Sequence, residues 1–172
     1  MLYYQFNCDS IWLTLENNKQ KHIIFSMTTE YYSYTYRLGY QFAKEFNSSI
    51  LFRSGCPANG PCNFILVDKK TGEKITEFGE LIYDHSADSP FIHSFILYFT
   101  DSLLSTITIH YIDSNKKYKI AIDGQQFKGI IPEYEIDNIS VNQSQLCFTQ
   151  PYHNKRKWKT KPVKVDLKKY AP

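Results

Sequence analysis

Ile50-Leu51-Phe52, Ser54-Gly55-Cys56-Pro57-Ala58-Asn59-Gly60-Pro61-Cys62, Phe64-Ile65-Leu66-Val67, Asp68-Lys69-Lys70-Thr71-Gly72 and Lys74-Ile75-Thr76-Glu77-Phe78 follow one another almost without a break. The reading of this stretch decides the fold. The first and third segments are apolar runs rich in strand formers. The second holds two prolines, which fix φ and lack an N–H, and two glycines, which allow positive φ, so it is neither helix nor regular strand. Asp68 to Gly72 has the composition of a hairpin turn, and the alternating Lys74–Phe78 segment returns antiparallel. Leu81-Ile82-Tyr83 is expected to continue the meander. The stretch from Ile50 to Asp84 therefore predicts a central antiparallel sheet.

Working outward, Ile11–Leu15 and His22–Met27 flank a polar turn and form a first hairpin. From Tyr31 to Leu38, tyrosines alternate with Ser, Thr and Arg, and this period of two predicts a strand. Gly39–Phe46 reads either as its continuation or as a short helix. Beyond Asp84, strands are expected in Phe91–Thr100, Leu103–Ile112, Tyr118–Ile122 and Gln145–Phe148, with Val163–Leu167 as a last edge strand. Residues 125–142 are less regular. Turns centred near Asn18, Lys69, Asn115 and Asn154 recur at about 40–50 residues, the period of propeller blades. Ordinary hairpins need the same turn residues, and a plain meander is the simpler reading. The fold class is all-β: an antiparallel meander of hairpins forming a two-layer sheet or sandwich, with blade-like repeats as the alternative. Residues 1–172 are expected to form a single domain with a basic C-terminal segment, residues 153–172.

The chain has 172 residues, with 14 Tyr and 12 Phe but only 7 Gly. That length suffices to bury a core without metal or disulfide support. No apolar run of about 18 residues exists, so no transmembrane helix is predicted. The first residues, Met1-Leu2-Tyr3-Tyr4-Gln5-Phe6-Asn7, carry neither the basic nor the apolar region of a secretory signal. Four cysteines permit three pairings. Cys56 and Cys62 bound the stiff Pro-Ala-Asn-Gly-Pro loop and are expected to be bridged, with Cys8–Cys147 as a second candidate pair. A bridge persists in an oxidising compartment. The expectation is thus a mature periplasmic protein whose signal has been removed; the alternative is a cytoplasmic protein with reduced thiols.

Chemistry-bearing motifs are absent. There is no nucleophile elbow, no His-Glu-x-x-His and no phosphate-cradling glycine loop. Asp84, His85, Asp88 and His93 are the one polar cluster of ligand types, and their spacing matches no metal motif. His22 and His110 fall within predicted strands, where a satisfied structural histidine is the ordinary explanation. No cofactor, metal or catalytic residue is expected. From Lys155 onward eight basic residues face one acid, against twelve basic and sixteen acidic residues in the rest of the chain. Such a segment can touch phosphate or a membrane surface. Lysines that keep an edge strand from aggregating explain it too, and no nucleic-acid partner is expected.

The segment Phe52-Arg53-Ser54-Gly55-Cys56-Pro57-Ala58-Asn59-Gly60-Pro61-Cys62, with the Asp68–Gly72 turn, resembles small β-rich proteins of Gram-negative bacteria. The compact, motif-poor character is similar to that of immunity proteins of interbacterial toxin systems. The resemblance covers the middle of the chain and carries over no functional residue. It implies a monomeric, non-enzymatic binding protein that neutralises a cognate toxin acting in the envelope. Exposed aromatic and acidic side chains would make the contacts: Tyr32, Tyr34, Tyr36 and Tyr40 from the tyrosine-rich segment, and Glu133, Glu135 and Asp137. The alternative is a periplasmic or cell-envelope module binding carbohydrate or another ligand on a sheet face. A small hydrolase using the Asp84–His93 loop ranks last.

Overall fold

The computed structural model describes residues 1–17, 20–58, 60–84, 94–122, 127–154 and 157–170, without the side chains of Thr35 and Tyr36. The Asp84–His93 cluster therefore lies mostly outside the described residues. The protein is all-β, built from antiparallel strands; among the described residues the helical elements are one α-turn and three short 3-10 turns. It divides into two compact units, Met1–Gly79 and Glu80–Pro172.

The first unit contains two sheets. One is a meander of β1 (Leu2–Phe6), β2 (Ser10–Asn17) and β3 (Gln20–Thr28). The other runs in sequence order through β4 (Gln41–Glu45), β5 (Ser49–Ser54), β6 (Asn63–Asp68) and β7 (Lys74–Phe78). Leu13 and Leu15 of β2 pack on Ile50 and Phe52 of β5 and on Ile65 and Val67 of β6, so the two sheets face each other across one core. β5 and β6 are buried on both faces, which is why they read as continuous apolar runs and not as alternating strands.

The second unit repeats this plan. β8 (Phe95–Phe99), β9 (Thr106–Tyr111) and β10 (Lys116–Ala121) form one meander. β11 (Asp137–Asn142), β12 (Gln145–Asn154) and β13 (Lys157–Asp166) form the other. Phe95, Leu97, Ile107 and Ile109 close against Ile136, Leu146, Phe148 and Val165. The turns near Asn18, Lys69, Asn115 and Asn154 each precede the last strand of a different sheet. Their recurrence is thus one meander per sheet.

Several expectations need correction. Tyr31–Leu38 is not a strand: Thr29–Tyr34 forms a 3-10 helix and α1 (Thr35–Leu38) adds one α-turn. An alternating segment becomes a strand only where one face is buried and an edge is paired. Here no residue of the 3-10 stretch is buried, and Ser and Thr favour local turns. Gly39–Phe46 resolves as the strand β4. Leu81–Tyr83 does not extend the central sheet; it is buried in the second unit and makes a single bridge, Ile82 to Leu97. β1 went unread, although Leu2, Tyr4 and Phe6 alternate. The basic segment after Tyr152 is a hairpin, with β12 and β13 paired from Gln145–Asp166 to Asn154–Lys157.

Gly72 closes the β6–β7 turn with φ of +73°, its N–H donating to the Asp68 carbonyl. The Asp68 carboxylate accepts from the backbone N–H groups of Lys70 and Thr71. Those bonds, with that from Thr71 foremost, hold its pKa below the usual carboxylate range. A Cβ on Gly72 would stand 2.4 Å from Cβ of His22, so this turn tolerates no side chain in two separate respects. Gly72→Ala is expected to destabilise the first unit by more than about 1 kcal/mol, read as a lower midpoint in urea with an unchanged slope.

Candidate functional site

The tyrosine-rich segment is fastened at both ends. At its start, the Thr29 N–H donates to the Asp9 carbonyl and the Thr29 hydroxyl to the Cys8 carbonyl, both in the β1–β2 connection. At its end, the Cys56 N–H donates to the Arg37 carbonyl at 3.0 Å and the Ser54 hydroxyl to the Leu38 carbonyl at 3.2 Å. Cys56 is disulfide-bonded to Cys62, with Cα atoms 4.2 Å apart. The Arg53 Nε–H lies 3.0 Å from one sulfur and 3.1 Å from the other. The bridged loop is thus the abutment on which the helical segment ends. Cys8, exposed in the first unit, and Cys147, half-buried in the second, are free thiols.

Between these fastenings Tyr31, Tyr32, Tyr34 and Leu38 are exposed, Tyr32 at 58% and Tyr34 at 50%. In a 3-10 helix residues three apart eclipse one another, which puts Tyr31 and Tyr34 on the same side of the segment. The side chain of Tyr36 is outside the described residues. Tyr40 has a different place. Its ring sits 4.9 Å from Phe25 and 5.4 Å from Phe52, and burial raises its phenol pKa. The Tyr4 hydroxyl donates to the Tyr40 carbonyl at 2.8 Å, tying edge strand β1 to the start of β4. Beside this tie the unit opens into two adjoining hollows of about 500 and 320 Å³ that share Leu2 and Phe42. Tyr3, Tyr4, Tyr40 and Gln41 line the larger. The Lys69–Glu45 ion pair at 2.8 Å stands on the smaller.

The acidic residues Glu133, Glu135 and Asp137 belong to the second unit. They do not share one run of extended backbone, because Pro132–Glu135 is a 3-10 turn. Pro132 supplies the fixed φ at its first position. Glu135 accepts the Gly129 N–H at the surface, Glu133 is half-buried, and Asp137 is exposed. Between them the Tyr134 hydroxyl donates at 3.1 Å to Glu80, which is only 5% exposed and also accepts from the Leu81 N–H. Sequence reading missed Glu80 because a lone glutamate after a glycine carries no signal of burial.

Among the described residues no group of three His, Cys, Asp or Glu side chains is placed to hold a metal ion, and no helix is long and apolar enough to cross a membrane. His110 is buried, with Nε2 2.9 Å from the Asn115 side chain in the β9–β10 turn; burial lowers its pKa. Compared with known protein families, curated proteins and solved structures, the chain matches none.

Two outcomes follow from this geometry. Replacing Cys56 and Cys62 together by Ala should cost about 2 kcal/mol, the entropy of closing a short loop. It should also speed exchange of the residue-56 amide, read by hydrogen exchange. Burial, with a smaller contribution from Glu80, holds the Glu133 carboxyl above its ordinary 4.5. An acid whose pKa folding raises destabilises the fold only when ionised. The penalty is absent below the unfolded-state value and complete above the folded-state value. The second unit should therefore lose stability as pH rises from about 4.5, and Glu133→Gln should flatten that slope in thermal melts.

Proposed function

We propose that this chain is a non-enzymatic binding protein of the immunity type, which neutralises a cognate bacterial toxin by covering its active or target-contacting surface. The observation that carries this reading is the fastened aromatic segment. Tyr31, Tyr32, Tyr34 and Leu38 are large, exposed and held on backbone anchored by four hydrogen bonds and a disulfide-bridged loop. Large exposed aromatic side chains on rigid backbone bind a partner with little loss of conformational entropy. The Cys56–Cys62 bond supports an oxidising compartment, and a toxin met there acts in the envelope.

A second reading has its own observation. The hollow lined by Tyr3, Tyr4, Tyr40 and Gln41 offers aromatic rings beside an amide, the surroundings a sugar ring uses in an envelope carbohydrate-binding module. Co-purification from the native host separates the two. The expected result is one stoichiometric protein partner, bound at least about a hundredfold more weakly by Tyr32→Ala/Tyr34→Ala protein of unchanged melting temperature. Unaltered partner binding by that variant, or glycan binding with no protein partner, overturns the proposal.

A further inference from the structure

We propose that the far end of the β12–β13 hairpin is an attachment arm for an anionic phospholipid surface, independent of the aromatic segment in the first unit. The two strands pair over ten positions. At one end Leu146, Phe148 and Val165 are buried in the core. At the other end His153, Asn154, Lys157, Trp158, Lys159 and Thr160 are all exposed, so the end of the ribbon lies outside the core. Directly opposed residues share a face. Lys157, Lys159 and Lys161, opposite Asn154, Tyr152 and Gln150, form a row on one side with a spacing of about 7 Å. The other side carries the His153–Trp158 pair, with ring centroids 5.2 Å apart and Lys128 Nζ 5.3 Å above the indole. Among the described residues Lys157 and Lys159 enter no ion pair. Protecting the β13 edge from aggregation needs a charge anywhere along it. It does not account for Lys157 and Lys159 on one face of the end that lies outside the core with Lys128, from another segment, over the indole on the other.

Phosphate is the chemistry that exposed ammonium groups such as those of Lys157, Lys159 and Lys128 recognise. The bilayer is favoured over nucleic acid as its source by two features. The Cys56–Cys62 bond points to an oxidising compartment, where lipid head groups are the large anionic surface. Single-stranded nucleic acid is held by successive bare aromatic faces, whereas this arm has one indole with its neighbours already in place. One indole, 39% exposed and flanked by lysines, suits the head-group layer. Attachment is then adsorption at the surface, not insertion, because the arm has no aliphatic face to bury.

The test follows Trp158 fluorescence in full-length Trp12→Phe protein mixed with vesicles. Expected are binding and a blue shift with phosphatidylcholine–phosphatidylglycerol vesicles, neither with phosphatidylcholine alone, and loss of both on raising salt. Lys157→Gln/Lys159→Gln should weaken binding about thirtyfold, at about 1 kcal/mol per lysine, with the melting temperature unchanged. Lys116→Gln/Lys117→Gln, the same charge change at exposed positions of β10, should leave it intact. No preference for anionic vesicles, equal loss in both double variants, or tighter binding to a duplex oligonucleotide than to vesicles overturns the proposal.

Discussion

A meander of three or four short strands is not stable alone; its apolar face must be covered by another. Everything else in this protein depends on that constraint. Leu13 and Leu15 have no dry environment until Ile50, Phe52, Ile65 and Val67 supply one. Ile107 and Ile109 depend in the same way on Ile136, Leu146 and Phe148. Each unit therefore uses the smallest arrangement that satisfies the rule, two sheets with one core between them. Edges are the consequence. β1 and β4 end their sheets in the first unit, and β13 ends its sheet in the second. The hollows beside Leu2 and Phe42 and the lysine-bearing ribbon lie at such ends.

The same constraint explains what was legible in the sequence. Ile50–Phe78 is readable because burial on both faces leaves unbroken apolar runs, and because Asp68 and Gly72 each have a local reason to be where they are. Asp68 accepts two turn N–H groups, and Gly72 adopts positive φ against His22. The Cys56–Cys62 pairing is readable from the stiffness of the loop between them. Tyr31–Leu38 is not readable, because alternation reports a strand only when one face meets a core. Period two in Tyr, Ser and Thr is compatible with a surface turn whose course is decided by the carbonyls of Cys8, Asp9, Arg37 and Leu38. Those partners are remote in sequence or are backbone atoms, and neither leaves a mark in residue identity.

The candidate contacts separate for the same reason. Tyr32 and Tyr34 are exposed on the helical turn, whereas Tyr40 turns inward where Phe25 and Phe52 meet it. Glu133 and Glu135 are drawn into the second unit because Ile136 between Glu135 and Asp137 is a core residue, fully buried. Placing Ile136 in the core brings the preceding turn with it, along with its carboxylates, and Glu80 and the Gly129 N–H are arranged around them.

What the chain leaves at its surface is consistent with the way it builds its interior. Tyr and Phe serve both the core and the surface here, so buried and exposed aromatics look alike in the sequence. The distinction lies in the backbone beneath them. A core tyrosine such as Tyr40 stands where sheet partners fix it. An exposed one such as Tyr32 stands on a turn fixed at its ends by hydrogen bonds and a bridged loop. Such a turn would gain from being loose if the tyrosines had only to remain soluble, since each ordered residue costs about 1–2 kcal/mol of conformational entropy. Holding them in one geometry at that cost is what the proposed binding role would require, and the aromatic segment stands next to the one covalent cross-link among the described residues.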